Sequence, residues 1–347
     1  MKHNLLFLGA LDYPNIPQAG DAVKNRLLLG FFRQKFCRVR YVDTQRWKRN
    51  PLIVIRVMHY LLFCRFDNIV FSTSNVSAYR LTRLITGLDL KSRVYYFMIG
   101  GYAPIKIRQG IYKAGPFRKL ERIVVEADKV MELFHEVGID NTYRLYNFKP
   151  VLYEPDVSVP HEGPLRFVFL SRLTRLKGVF HILQSVRDLN AMGLSERFSV
   201  DFYGRPDPDV MEQFKSETDA LPNVGYKGFL NLDNPEGYEI LSGYDAMLFP
   251  TMHPTEGFPG VIADAALSAL PVIASEWRYA REIVGDGECG LLFPVGDNAA
   301  LTDTIRKVIE DRSILEPMRH VSLVRSRMYN VSNVLTDRLI EDLKMRI

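Results

Sequence analysis

The sequence predicts an α/β protein made of two doubly wound domains with parallel sheets. Short apolar runs alternate with longer amphipathic segments along the chain, as in successive strand–helix–strand units. A length of 347 residues with 47% hydrophobic side chains is sufficient for two cores. Residues 147–164 contain four prolines and little periodicity, which is typical of an extended linker. We therefore predict domains over residues 1–150 and 160–328.

Each half supplies its own set of predicted elements. In the first half, the strand-containing segments are NLLFLGAL, RVRYVD, NIVFSTS, RVYYFMIG and VVEADKVMELF. In the second half, we predict strands at 166–170, 198–204, 246–250, 271–275 and 290–295. The segments 177–190 and 298–312 carry apolar residues at helical spacing, so we predict helices there.

The charge is divided unevenly between the halves. Residues 1–150 contain 25 Lys and Arg against 11 Asp and Glu, a net charge of +14, while the remainder carries 20 against 29, a net of −9. This asymmetry indicates that the first half faces an anionic partner. Nucleic acid, lipid headgroups and phosphorylated substrates all have this chemistry.

The cysteines and the N-terminus favour a cytoplasmic protein. The three cysteines are odd in number and lack both a disulfide framework and zinc-ligand spacing. The first apolar run ends at Asp12, so it resembles a buried strand more than a signal peptide. We expect reduced thiols, no bound metal and no cofactor.

The stretch 253–275, HPTEGFPGVIADAALSALPVIAS, carries the clearest chemical signal. Glu256 lies in a loop after a predicted parallel strand, where open α/β sheets bind ligands. Gly257 and Gly260 allow close approach of the backbone, and a helix starting at about Pro259 directs its amides at an anion. Asp264 lies one turn into an almost wholly apolar helix, where an unpaired acid is costly. Acids on both sides of a row of amides fit a nucleotide sugar; the alternative is a loop acid and a solvated helix residue.

A second loop, SRLTRLKG at 171–178, also follows a predicted strand. It carries Arg172, Arg175 and Lys177. An arginine fork and a lysine charge together match a diphosphate. The alternative is a set of ordinary solvated cations.

These motifs resemble the GT-B-fold retaining glycosyltransferases of family 4, the glycosyl transferases group 1. The resemblance rests on SRLTRLKG, KGFL, PTMHPTEGFPGVIAD, PVIAS, EIV and GLLFPVGD, which recur in the family's order over residues 164–300. It implies two facing Rossmann-like domains with an interdomain cleft, and a C-terminal helix at about 330–347 that returns to the first domain. The chain departs from the family at Asp264, where the family has Glu, and at Trp277 and Arg278, where paired glycines are frequent.

The resemblance also implies residue roles. Arg172 and Lys177 neutralise the donor diphosphate, Glu256 binds sugar hydroxyls, and Asp264 binds the ribose diol. The remaining donor contacts come from two segments. The backbone of the loop and helix start contacts the sugar and phosphate, through Gly257, Phe258, Pro259, Gly260 and Val261. The base is flanked by Gly228, Phe229 and Leu230. The catalytic set is Arg172, Lys177 and Glu256.

Glycines at two predicted strand ends of the first half are further candidates. Gly20 precedes a helix after the first strand, where a helix N-terminus could approach the donor phosphate. Gly100 and Gly101 follow another strand and are candidates for the acceptor side. The alternative for both is a plain turn.

Two basic segments in the first half indicate a membrane contact. RWKRNPLIVIRVMHYLLFCR, 46–65, combines an apolar helix of thirteen residues with five basic ones, too short and charged to span a bilayer. KIRQGIYKAGPFRKLER, 106–122, adds basic residues with Tyr112 and Phe117. The alternative for the first segment is a buried helix with basic ends.

The sequence thus predicts a retaining glycosyltransferase that uses a UDP- or GDP-linked sugar. The acceptor would be a saccharide or a polyprenyl-diphosphate-linked sugar in bacterial surface polysaccharide synthesis, at the inner face of the cell membrane. The alternatives are a non-catalytic sugar-nucleotide binding protein and a nucleotide-sugar epimerase of the same fold. Basic stripes without interleaved stacking aromatics do not favour nucleic acid.

Overall fold

The computed structural model describes residues 3–11, 20–47, 49–88, 90–159 and 161–347. It divides into two compact units. The first comprises Met1–Phe148 and Val331–Ile347, and the second comprises Lys149–Asn330.

The first unit contains a six-stranded parallel sheet in the order β2-β1-β3-β4-β5-β6. Its strands are β1 (Asn4–Gly9), β2 (Arg38–Asp43), β3 (Asn68–Ser74), β4 (Arg93–Ile99), β5 (Arg122–Val125) and β6 (Thr142–Arg144). The connecting helices are α1 (Gly20–Lys35), α2 (Pro51–Phe63), α3 (Asn75–Gly87), α4 (Ala103–Arg108), α5 (Ala114–Arg118) and α6 (Asp128–His135). One face of β1, β3, β4 and β5 packs with α1 in an apolar core. The alternate residues of these strands are buried as well, because central parallel strands are covered on both sides.

The second unit repeats this architecture with a six-stranded parallel sheet in the order β12-β11-β10-β7-β8-β9. Its strands are β7 (Leu165–Leu170), β8 (Phe198–Tyr203), β9 (Val224–Gly228), β10 (Ala246–Phe249), β11 (Val272–Ser275) and β12 (Gly290–Phe293). Its helices are α7 (Val179–Ala191), α8 (Met211–Asp219), α9 (Pro235–Ser242), α10 (Gly260–Leu267), α11 (Ala280–Ile283), α12 (Asn298–Glu310) and α13 (Leu315–Ser326).

The helix ends of the second unit follow local sequence signals. The Asn234 side chain accepts from the amide of Gly237 at the start of α9, directly before Pro235. Asp297 accepts from the amide of Ala300 at the start of α12. The apolar stripes predicted for α7 and α12 pack on β7, β8 and β10 in the core.

The last part of the chain, α14 (Val331–Val334) and α15 (Asp337–Asp342), belongs to the first unit. Leu339, Ile340 and Leu343 are buried in the core of that unit. The Tyr143 hydroxyl donates to Asp342 Oδ2 at 2.9 Å. Residues 331–347 therefore complete the packing of the first sheet.

Candidate functional site

The second sheet changes direction between β7 and β10. From β7 the chain adds β8 and β9 on one side, and later β10, β11 and β12 on the other. The loops that leave β7 and β10 therefore diverge from neighbouring strands at the same edge. Open α/β sheets bind ligands at this switch point, beyond the carboxyl ends of the strands. Both motifs singled out in the sequence lie in these two loops.

The loop after β7 is packed tightly against its neighbours. Gly178 adopts φ 80°, and a Cβ atom there would lie 2.1 Å from the carbonyl oxygen of Pro250. A short 3₁₀ turn, Arg175–Lys177, precedes it, and Thr174 Oγ1 accepts from the amide of Lys177 at 3.2 Å. Because only glycine fits so close an approach at positive φ, the turn holds Lys177 beside the end of β10.

Lys177 and Glu256 form an ion pair at the centre of the site. Lys177 Nζ lies 2.5 Å from Glu256 Oε2, and the two side chains are only 14% and 12% exposed. The ammonium also lies 5.1 Å from the centroid of the Phe249 ring, so part of its environment is an aromatic face. The structure thus brings together two of the three predicted catalytic residues.

Arg172 and Arg175 have different environments. Arg175 donates to Gln213 Oε1 on α8 at 2.7 Å and stacks over the Phe180 ring. Arg172 is exposed. Its charge lowers the pKa of His253, which places it within electrostatic range of the loop after β10. Of the two arginines, Arg172 is therefore the one whose charge is felt in the Glu256 loop.

Two hydroxyls that the sequence analysis did not identify hold the loop after β10. Thr251 is fully buried, and its hydroxyl donates to Glu256 Oε2 at 2.9 Å. The Ser275 hydroxyl at the end of β11 donates to the carbonyl oxygen of Thr251 at 2.6 Å. Since hydrogen bonds to a carboxylate are about twice as strong as neutral ones, Thr251 helps to fix Glu256. The sequence signal that could have identified Thr251 is its position two residues after β10, in the loop where a ligand is expected.

Trp277 also supports this loop. Its indole Nε1 donates to the carbonyl oxygen of Gly257 at 3.1 Å, and its ring packs edge-on against Phe249. Trp277 is 5% exposed. Trp277, one of the positions that depart from the resembling family's pattern, is therefore a buried support of the Glu256 turn.

His253 lies in the same loop and was also not predicted. Its ring Nδ1 accepts from the amide of Thr255 at 3.3 Å. Burial lowers the pKa of His253, opposed by the charge of Glu256 and assisted by those of Lys177 and Arg172. The imidazole is consequently neutral near pH 7.

The N-terminus of α10 carries the predicted backbone contacts. Pro259 is the N-cap, in an extended conformation, and the helix begins at Gly260, one residue later than predicted. Phe258 is buried, with its ring edge-on to Tyr329 at 5.2 Å between centroids. Val261 follows in the first turn. The first amides of α10 favour a negatively charged group because they have no partners within the helix.

Asp264 has two protein partners. Lys149 Nζ lies 2.9 Å from Oδ2, and the Tyr238 hydroxyl donates to Oδ1 at 2.8 Å. Asp264 is 2% exposed. Burial and the neighbouring charge of Asp264 raise the pKa of Tyr238 well above its usual range, so Tyr238 stays a donor. These two contacts offset the cost of placing a carboxylate in the apolar helix.

The remaining donor-side candidates lie at the end of β9. Gly228 closes that strand with φ 76°, and its carbonyl accepts from the amide of Gly204 at 2.7 Å. Phe229 is exposed, whereas Leu230 is buried. An exposed aromatic ring beside a buried aliphatic side chain is a surface on which a base could stack.

The first-unit candidates lie at the ends of elements. Gly20 is the first residue of α1, and the loop before it falls outside the described residues. Gly100 follows β4 with φ 75°, and Gly101 is buried beside it. Both Gly100 and Gly101 thus lie in the turn between β4 and α4.

The described residues of the second unit offer three kinds of ligand group at one sheet edge. They are a lysine and an exposed arginine, a helix N-terminus, and a fixed carboxylate. The first two groups suit phosphate oxygens and the third suits hydroxyls. Within the described part of the chain, no cluster of three or more His, Cys, Asp and Glu residues is suited to hold a metal ion.

Residues 154–322 match the family model described as glycosyl transferases group 1. This match covers just under half of the chain and contains Arg172, Lys177, Glu256 and Asp264. Lys149 lies outside it.

Curated relatives resemble the same part of the chain. A 2-deoxystreptamine glucosyltransferase of Streptomyces kanamyceticus is 29% identical over 153 residues, 44% of this chain and 38% of the relative. A putative colanic acid biosynthesis glycosyltransferase, WcaL, of Salmonella typhimurium is 28% identical over 145 residues, 40% of this chain and 34% of the relative. The chain thus spans little more than a third of the length of these relatives.

The crystal structure of Anabaena HepE in complex with UDP and glucose resembles the whole chain. Its TM-score is 0.71 at 16% sequence identity, over 99% of both chains. This likeness shows the fold, and the predicted GT-B class is confirmed. The family match and the relatives support the predicted enzyme class, a glycosyltransferase.

Proposed function

We propose that the protein is a retaining glycosyltransferase of family 4 that transfers a sugar from a UDP- or GDP-linked donor. The observation that carries this proposal is the Lys177–Glu256 pair at the switch point of the second sheet, beside the N-terminus of α10. The pair lies within the segment that matches the glycosyl transferases group 1. The UDP and glucose bound in HepE support a nucleotide-sugar donor.

The two oxygens of Glu256 have different surroundings. Among the residues that the structure describes, Lys177 and Thr251 both contact Oε2. Oε1 is therefore available to accept from a sugar hydroxyl. Lys177 has three N–H donors, so it can contact a donor phosphate while it keeps Glu256. On this basis Glu256 binds the sugar, and Lys177 and Arg172 neutralise the diphosphate.

The proposed reaction needs no protein nucleophile. The bond between the anomeric carbon and the diphosphate oxygen breaks, and the acceptor oxygen bonds to that carbon from the same face. The acceptor proton passes to the departing diphosphate. Lys177, Arg172 and the amides of α10 stabilise the negative charge that grows on the diphosphate, without reorganising.

Asp264 is the proposed ligand of the ribose diol. A carboxylate accepts about four hydrogen bonds, so Lys149 and Tyr238 leave capacity for a diol. Because the side chain is 2% exposed, Lys149 has to move aside as the ribose binds. Gly228, Phe229 and Leu230 then flank the base.

The proposed acceptor is a saccharide or a polyprenyl-diphosphate-linked sugar in bacterial surface polysaccharide synthesis. The excess of basic residues over 1–150 and the colanic acid relative support this setting. We place the protein in the cytoplasm at the inner face of the membrane, and its three free cysteines agree with a reducing compartment. Within the described residues, none of the helices has the length and apolar character needed to cross a bilayer.

The test begins with a thermal-shift screen of UDP-, GDP- and ADP-linked sugars. Hydrolysis of the stabilising donor is then measured for the wild type, Lys177→Ala and Arg175→Ala. Loss of a positioned phosphate contact should lower turnover of Lys177→Ala by about 10²–10³-fold. Arg175→Ala is the matched control, because Arg175 bonds Gln213 instead.

The results separate the alternatives. Near-normal turnover of Lys177→Ala would contradict the proposal that Lys177 contacts the donor phosphate. Donor binding without turnover, with or without an acceptor, would favour a sugar-nucleotide binding protein, and interconversion of the donor sugar would favour an epimerase. Retention is checked by NMR of the anomer first released on hydrolysis.

A further inference from the structure

Helix α2 of the first unit leaves most of its apolar side chains exposed. Only Val57 and Leu61 are buried. Leu52, Ile55, Leu62 and Phe63 are between 51% and 76% exposed. At 100° per residue these four side chains lie on one stripe opposite Val57 and Leu61. The expectation of a buried helix with basic ends is therefore wrong, and α2 presents an apolar face to its surroundings.

The surroundings of this face are basic. Between Asp43 and Asp67 the sequence contains no acidic residue and five basic ones, Arg46, Lys48, Arg49, Arg56 and Arg65. The four arginines are exposed, while Lys48 lies outside the described residues. An exposed apolar stripe flanked by cations is the composition of a helix that binds in the plane of a membrane interface.

A cavity of about 740 Å³ adjoins the stripe. Arg26, Arg33 and Arg56 line it together with Leu52 and Ile53. Leu52 thus belongs both to the exposed stripe and to the cavity wall, so the two features are continuous. Three arginines thus line the cavity next to the first turn of α2, and Arg26 Nη1 donates to the carbonyl oxygen of Leu11 at 3.0 Å.

Among the described lining residues, the one carboxylate is already engaged. Asp43 Oδ1 accepts from the amides of Leu11 and Gln45, at 3.3 and 2.9 Å. The described lining residues thus include three arginines and one aspartate.

Aromatic rings orient two of the three arginines. The Arg33 guanidinium lies 5.0 Å from the centroid of Tyr41, and that of Arg56 lies 5.7 Å from the centroid of Tyr60. Stacked guanidinium groups keep their N–H edges available in a planar fork, which matches phosphate oxygens. The cavity is thus suited to a phosphate group.

We propose that the stripe and the cavity form a docking surface for an anionic membrane. The phosphate of a lipid headgroup enters the cavity between Arg33 and Arg56, while Leu62 and Phe63 insert at the acyl boundary. Thirteen residues extend about 20 Å, less than the hydrocarbon thickness of about 30 Å, so α2 lies along the surface. A nucleic acid would bind the arginines but would leave the apolar stripe exposed to water.

This inference rests on the proposed function for its cellular setting only, and it assigns a surface that the donor site does not use. It is tested by co-sedimentation with phosphatidylcholine vesicles with and without phosphatidylglycerol, in the absence of donor and acceptor. Binding should require phosphatidylglycerol and weaken with salt. Loss of binding with intact donor hydrolysis separates this inference from the donor site.

Two kinds of variant test the two parts of the surface. Arg33→Gln and Arg56→Gln should each weaken vesicle binding about fivefold. Leu62→Ser/Phe63→Ser should weaken it by more than tenfold, because two large apolar side chains no longer insert. The controls are Lys215→Gln and Val324→Ser, which change one exposed charge and one exposed apolar residue of the second unit.

Three outcomes would overturn the proposal. They are equal binding to both kinds of vesicle, wild-type binding by Leu62→Ser/Phe63→Ser, and effects of the controls as large as those of the α2 variants. Light scattering without vesicles supplies a further check. A dimer that Leu62→Ser/Phe63→Ser dissociates would assign the stripe to a second copy of the chain instead.

Discussion

Each unit buries a lysine–glutamate pair at the carboxyl edge of its sheet, but the two pairs differ in exposure. In the first unit, Lys24 Nζ on α1 lies 2.6 Å from Oε1 of Glu126, the residue directly after β5. Their side chains are 4% and 9% exposed, and Lys24 lies over the Phe148 ring. In the second unit, Lys177 and Glu256 are 14% and 12% exposed, and both donors to Glu256 contact the same oxygen.

The comparison shows that a buried ion pair at a sheet edge does not by itself define a ligand site. Lys24 and Glu126 form a closed pair, in which the two buried charges neutralise each other. Removing one partner leaves the other as an uncompensated charge in the interior. The second pair differs in its place, because Lys177 and Glu256 lie in the two loops that diverge at the switch point of their sheet, where open α/β sheets bind ligands. We therefore assign Lys24–Glu126 to stability and Lys177–Glu256 to donor binding.

The largest expected effect is on the closed pair. Lys24→Met should lower the free energy of unfolding by about 3–5 kcal/mol, because Glu126 keeps a buried charge without its partner. Urea unfolding measures the loss. Lys24→Met/Glu126→Leu should recover most of it, since the charge is then absent. A similar stability loss in Lys177→Ala would erase the distinction between the two pairs.

An intermediate effect is expected at Thr251. Thr251→Val removes the hydroxyl that donates to Glu256, and a hydrogen bond to a charged group contributes about 1.5–3 kcal/mol. The dissociation constant of the donor, measured by calorimetry, should rise by about tenfold or more. Thr251→Ser keeps the hydroxyl and serves as the control. Unchanged donor affinity in Thr251→Val would mean that Glu256 is held without it.

The smallest effect concerns pH and His253. Its folded-state pKa is lowered from the usual 6.5, chiefly by burial, so the unfolded chain binds this proton more readily. The stabilising contribution is present above about pH 6.5 and is lost as the pH falls through the folded-state pKa. His253→Gln should be less sensitive to acid than the wild type in thermal unfolding between pH 7 and 5. Identical pH profiles would show that burial of His253 has no such consequence.

The central elements of both sheets were predictable from the sequence. Apolar runs such as RFVFL and AMLFP gave strands within a few residues of β7 and β10, because buried parallel strands are continuously apolar. The edge strand β6 was missed and β9 was recognised only through its family motif. Their side chains are half-exposed or exposed and carry no apolar run.

Contacts between distant residues were not predictable. Lys149 and Asp264 are 115 positions apart, and a lysine in a proline-rich linker carries no signal of an acidic partner. Burial of single residues was also misjudged. Tyr112 and Phe117 were assigned to a basic segment that contacts a membrane, but both are buried, and Tyr112 stacks on Tyr79. Composition alone does not tell which side of an amphipathic segment packs on the sheet.

The discontinuity of the first unit bears on the order in which the molecule forms during synthesis. Its core includes Leu339, Ile340 and Leu343, so it cannot be completed until these residues have left the ribosome. The second unit is one continuous segment whose last strand ends at Phe293. The second unit, although it is translated later, can thus complete its packing before the first unit. Until then, part of the apolar core of the first unit stays exposed to solvent.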